Sequence, residues 1–156
     1  MNDNSVKQRV DSTPLTEAKV RDAGEIARRA SALFAVVSAS MGEDQRFVVD
    51  WLYNNALQEE LTPKEIKFLS SSKPTRQTIV EASWRSQALP VLLWALGLVK
   101  EMPGIEEEVL PFEDLQLLAP PFNCMSVEEF VASAQCRSKQ EIKEMYDRIW
   151  QVHWSL

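Results

Sequence analysis

The stretch Ala88-Leu89-Pro90-Val91-Leu92-Leu93-Trp94-Ala95-Leu96-Gly97-Leu98-Val99 decides the fold. It is the longest apolar run in the chain, and as a helix it would reach about 18 Å. A bilayer core needs roughly 30 Å, so the run reads as a buried core helix and not as a membrane span. Pro90 sits inside it. Proline removes a backbone donor, and its ring meets the carbonyl one turn back, at a cost of about 3 kcal/mol in a helix interior. The long helix that Thr75 opens and that runs through Leu98 is therefore expected to kink or break between Ser86 and Pro90. Its inner stripe is read as Ile79 or Val80, Trp84, Ala88, Val91, Leu92 and Ala95.

Working outward, the chain is punctuated by capping chemistry. Thr62-Pro63-Lys64-Glu65 predicts a sharp start for a short helix ending near Leu69: Thr62 caps, Pro63 suits the first helical position and Glu65 closes the box. Ser70 to Pro74 is a loop. Upstream, Asp22 with Glu25 starts a helix whose face carries Ile26, Ala30, Leu33, Phe34 and Val37, with Gly42 as its stop and a turn at Thr16 to Val20 in front of it. Glu43 and Asp44 open a second helix with the stripe Phe47, Val48, Trp51, Leu52 and Asn55. Its acidic Gln58-Glu59-Glu60 end opposes the helix dipole and is expected to fray. Downstream, Lys100 to Pro121 is expected to be irregular, with one turn at Phe112 to Leu118. Ser126 with Glu129 starts a short helix through Ala134, and Ser138 with Glu141 starts the last one. Nothing alternates long enough to make a sheet. The predicted class is all-α: a compact bundle of six or seven helices.

The chain has 156 residues, of which 45% are hydrophobic and 26% charged. That is one domain able to bury a core without disulfides or metal. Residues 1–12 are polar and read as a disordered tail, and residues 13–156 as a single helical domain. The net charge is −6, which disfavours nucleic-acid binding. Glu101, Glu106, Glu107, Glu108, Glu113 and Asp114 lie in one base-free stretch and account for the whole surplus. The polar N-terminus has no signal-peptide apolar region, and with only Cys124 and Cys136 the simplest location is a reducing cytoplasm.

Arg21-Asp22 with Glu25-Ile26 is echoed by Arg137-Ser138 with Glu141-Ile142, either because two helices start with the same capping chemistry or because each arginine binds a carboxylate at a matched place in the fold. The segment Ser83-Trp84-Arg85-Ser86-Gln87-Ala88-Leu89-Pro90 through Gly97, together with Arg21 to Leu33, Leu61 to Glu65 and Arg137-Ser138 through His153-Trp154, resembles the domain of unknown function 4272 family. The matches run in order over roughly residues 20 to 154. The resemblance implies a largely helical bacterial protein and no particular reaction. Members of that family often continue past the His-Trp pair with another polar-aromatic segment, whereas this sequence ends at Leu156, so a site carried there would be missing.

The candidate functional residues follow from chemistry. Trp84-Arg85 heads the central motif: either a buried indole whose arginine pairs a carboxylate, or an arginine presented at a pocket to an anion. Arg137 and His153 would join Arg85 in such a pocket. His153 lies on the stripe Ile142, Met145, Tyr146, Ile149 and Val152, which favours a packed or surface-edge imidazole over a catalytic one. Trp150 and Trp154 form a second apolar side of the last helix, for burial or for a homodimer or partner contact. Cys124, Cys136 and His153 match no standard zinc spacing, and no cofactor motif is present. Glu106, Glu107, Glu108 and Asp114 interleave with Leu110, Phe112, Leu115, Leu117 and Leu118, a pattern suited to docking a basic protein. The first functional expectation is therefore a non-enzymatic protein-interaction domain with an acidic surface. The alternative is a small intracellular enzyme or ligand-binding protein with an Arg/His pocket for an anionic substrate.

Overall fold

The computed structural model describes residues 21–101 and 111–155. The tail at residues 1–12, the turn at Thr16 to Val20 and the acidic trio Glu106, Glu107 and Glu108 lie outside them. Among the described residues all regular structure is helical, and no helix is long and apolar enough to cross a membrane. Asp22 to Arg137 forms one compact unit. It contains α1 (Ala23–Ser40), α2 (Gln45–Asn54), α3 (Pro63–Ser70), α4 (Arg76–Ser83), α5 (Leu89–Ala95), α6 (Phe112–Leu115) and α7 (Val127–Ser133). The last helix, α8 (Lys139–Ser155), belongs to a second unit.

The starts are where side-chain chemistry puts them. Asp22, Asp44, Thr75 and Ser126 each accept a hydrogen bond from the backbone N–H three residues on, which satisfies a donor the first turn leaves without a partner. Thr62 and Glu65 make a complete capping box. Ser138 Oγ accepts from the Glu141 N–H at 3.1 Å and starts α8.

The stops are equally specific. At the ends of α1 and α5 the chain turns through Gly42 (φ +106°) and Gly97 (φ +73°). In both, the two N–H groups after the cap fold back onto the last-turn carbonyls: Gly42 to Ala39 and Glu43 to Ser38, and Gly97 to Trp94 and Leu98 to Leu93. The end of α2 uses the same closure with Ala56 at φ +54°, so the Gln58-Glu59-Glu60 end does not fray. The helix stops at Asn54, Leu57 turns inward until fully buried, and Gln58 to Glu60 form a separate 3-10 turn. An alanine in the left-handed region pays a steric cost that glycine avoids. Ala56→Gly is thus expected to stabilise the protein by about 0.5–1 kcal/mol after the extra freedom of the unfolded chain is counted. A denaturant midpoint that stays put or falls would contradict that.

Packing centres on α1, which touches α2, α3, α4, α5 and α7. A single stripe is too little for this position: Ile26, Ala27 and every residue from Ala30 to Ser38 are buried. The small side chains of Ala27, Ala30, Ala32 and Ala35 let neighbours approach on several sides. Around them gather Val48, Leu52, Leu57, Phe68, Leu69, Ala82 and Val127.

The break near Pro90 is real. α4 ends at Ser83, a 3-10 turn covers Trp84 to Ala88, and Pro90 opens α5 where its missing donor costs nothing. The inner stripe, however, is corrected. Of the expected stripe Ala95 is buried and Ile79 packs against the core, but Trp84, Ala88 and Val91 are exposed, and Ala82, Leu89, Pro90, Leu93, Trp94 and Leu96 are buried instead. A run that is apolar all round carries no phase, so periodicity could not choose the inward face. In α2 Val48 and Leu52 point inward as expected, but Phe47 stands 60% exposed.

Candidate functional site

Glu65 is the centre of a buried polar cluster. Its place in the capping box fixes its backbone, and its carboxylate accepts from the Thr62 N–H at 3.0 Å. The same carboxylate is only 1% exposed. From the middle of α1, Arg29 grips it with two parallel bonds, Nη1 to Oε2 at 2.8 Å and Nη2 to Oε1 at 2.7 Å. From the turn after α4, Arg85 donates Nε to Oε1 at 3.0 Å. Burial pushes the Glu65 carboxyl toward protonation, but the Arg29 bonds, the Thr62 N–H and the charges of Arg29 and Arg85 outweigh it, and its pKa lies below the ordinary carboxylate value.

The neighbouring Arg28 extends the cluster. It donates Nε to Glu60 at 3.3 Å and a second bond to the Ala56 carbonyl, while Arg29 also reaches the Glu60 carbonyl at 2.8 Å. Two consecutive arginines of α1 thus hold the whole connector from α2 into α3, including the left-handed Ala56.

Arg137 makes a second, separate cluster at the end of α5. Its side chain donates to the carbonyls of Trp94 at 2.6 Å, Val99 at 2.9 Å and Lys100 at 3.0 Å, and its backbone N–H bonds Ala95 at 2.8 Å. The guanidinium lies 4.6 Å from the centre of the Trp94 ring. A cation at a helix C-terminus answers both the open carbonyls and the negative end of the dipole, and the indole face adds cation–π attraction.

The sequence-derived candidates are distributed accordingly. Arg85 meets a carboxylate, but Trp84 beside it is 65% exposed and is not the buried indole that was expected. Arg85 and Arg137 are held by different partners and form no common pocket. His153 falls in the last turns of α8. In that helix Tyr146 and Trp150 stack face to face, 6.3 Å apart and 7° from parallel. Asp114 and its neighbour Glu113 are exposed on α6. Cys124 and Cys136 are free thiols, and burial, followed by the charge of Asp22, raises the Cys136 pKa. Among the described residues no metal-type side chains gather into a group.

Arg29 and Arg28 were not singled out from the sequence. Their signal was present: adjacent arginines between Ala27 and Ala30 in an otherwise apolar helix require partners, because such side chains are rarely buried alone.

An all-helical domain whose motifs converge on a buried arginine–glutamate–arginine cluster is the class these features define. The chain belongs to the domain of unknown function family DUF4272, which it matches over residues 10–156. No curated protein and no solved structure matches it. Three of the segments that carry the resemblance meet in space, since Arg29, Glu65 and Arg85 come one from each.

Proposed function

We propose that this protein is a non-enzymatic interaction domain, acting in the cytoplasm, that binds a basic and partly apolar protein segment through an acidic-apolar surface. One observation supports the reading above others. A groove of about 250 Å³ is lined by Leu96, Leu98, Leu118, Met125 and Phe130. Leu96 and Leu98 lie just before Glu101 in the sequence and Leu118 just after Asp114, and Asn123, Ser133, Ala134 and Gln135 complete the lining. Glu101, Glu113 and Asp114 are exposed. Apolar side chains of a partner would enter the groove while its lysines or arginines meet the carboxylates, an arrangement that speeds association and weakens with salt. A second copy of this acidic chain would instead set like charges against each other.

The test is capture from a native lysate with the full chain as bait, followed by titration of the purified partner. The partner is expected to be basic, to be released as salt rises, and to lose affinity about tenfold or more with Glu113→Lys/Asp114→Lys. Leu98→Gln should weaken it without altering the salt slope. Binding that ignores salt, both variants and the partner's charge would end this reading.

A further inference from the structure

We propose a second site, independent of the acidic-apolar surface: the cleft between α3 and α4 binds a phosphate dianion, free or as a monoester. The argument begins with the uneven sharing of Glu65. Arg29 takes the carboxylate with both Nη groups, whereas Arg85 spends only its Nε on it. One buried carboxylate cannot neutralise two guanidinium groups. Arg85 keeps positive charge in excess, and its Nη1 and Nη2 have no protein acceptor among the described residues. Holding an arginine by Nε fixes its plane and leaves the outer pair of N–H groups for an end-on, two-point grip on an oxyanion.

Arg85 is also where such a ligand could arrive. It is 30% exposed and lines a cleft of about 120 Å³ with Lys64, Glu65, Lys67, Thr78 and Glu81 over a floor of Phe68 and Ala82. Lys64 and Lys67 come from successive turns of α3 and bring two more cations to the same opening. Two carboxylates in the lining are unfavourable to an anion: Glu65 is already answered by Arg29 and Arg85, and Gln77 donates to Glu81 at 3.2 Å. A positive cleft in a chain of net charge −6 is a local inversion of sign. A dianion suits it better than a carboxylate, because two ammonium groups and a guanidinium reward the second charge. The cleft has room for a phosphate group.

The experiment uses the full chain labelled with 15N and titrated with inorganic phosphate, with phenyl phosphate, and with acetate at matched ionic strength. Phosphate and phenyl phosphate are expected to shift the Arg85 Nε–H signal saturably, and acetate is not. Tighter binding of phenyl phosphate would place the group on a larger molecule, and equal binding would assign the site to free phosphate. Lys64→Gln/Lys67→Gln alters exposed residues outside the Glu65 cluster and should fold normally. It should weaken phosphate about tenfold. Arg85→Lys keeps the charge, loses the two-point grip and should weaken it as well. No saturable shift overturns the proposal. So does equal binding of acetate, or undiminished affinity in the folded double-lysine variant.

Discussion

Glu65→Ala is expected to lower the stability of the protein by about 3–5 kcal/mol, the loss that follows when one member of a buried ion cluster is removed. The carboxylate is 1% exposed and shared by Arg29, which is 15% exposed, and Arg85. Without it two guanidinium groups face each other with no intervening negative charge, and the α3 box loses its second half. For a chain of this length the melting temperature should fall by on the order of 10 °C. Thr62→Ala provides the scale, since it removes only a helix cap and should cost about 1 kcal/mol. Arg29→Ala combined with Glu65→Ala should cost less than the sum of the two single changes, because the second change removes a stranded charge. Equal losses for Glu65→Ala and Thr62→Ala would show that the carboxylate is no more than a capping residue.

The same cluster has a pH signature. The Glu65 pKa is depressed in the folded state, so its stabilisation is complete above the ordinary carboxylate value near 4.5 and is lost as pH falls from there through the folded value. The wild-type denaturation midpoint should drop across that acid window by more than that of Glu65→Gln, which has no such proton to take up.

The capping residues were legible because their chemistry is local. Asp22, Thr62, Ser126 and Ser138 each act within one helical turn, and the structure places every one as a cap. Pro90 was legible for the same reason. The partners of Glu65 were not, because Arg29 lies 36 residues before it and Arg85 20 residues after it. A box glutamate looks the same whether it faces water or two arginines. The stop at Ala56 escaped notice because its signal is normally glycine, and here Arg28 and the buried Leu57 hold an alanine in the strained region instead. The exposure of Trp84 was hidden by residue type, since a tryptophan beside an apolar run looks like core. The centrality of α1 could have been inferred from Ala27, Ala30, Ala32 and Ala35, which one-stripe periodicity treats as neutral.

That centrality leads to the second large effect. Phe34→Ala should cost about 3–5 kcal/mol, because Phe34 is fully buried in α1 and its removal leaves a cavity that rigid helices on several sides cannot close. Its ring lies 5.7 Å from that of Phe112, tilted by 44°, and Phe112 in turn meets Phe122 edge-on at 6.2 Å. Phe112 is part of the acidic stretch, so these rings tie the downstream end of that stretch to the central helix. Phe112 is only partly buried, and Phe112→Ala should cost less than Phe34→Ala. A double-mutant cycle between the two should return a coupling of about 0.5–1.5 kcal/mol. The two variants should also differ in kind. Phe34→Ala weakens the whole unit and lowers its cooperative unfolding midpoint. Phe112→Ala frees the anchor and should make cleavage at Glu113 by a glutamate-specific protease faster while that midpoint moves little. If Phe34→Ala costs no more than a surface change, α1 is not the centre of packing. If the coupling is zero, the acidic stretch is not held through these rings, and the apolar groove beside it must anchor it instead.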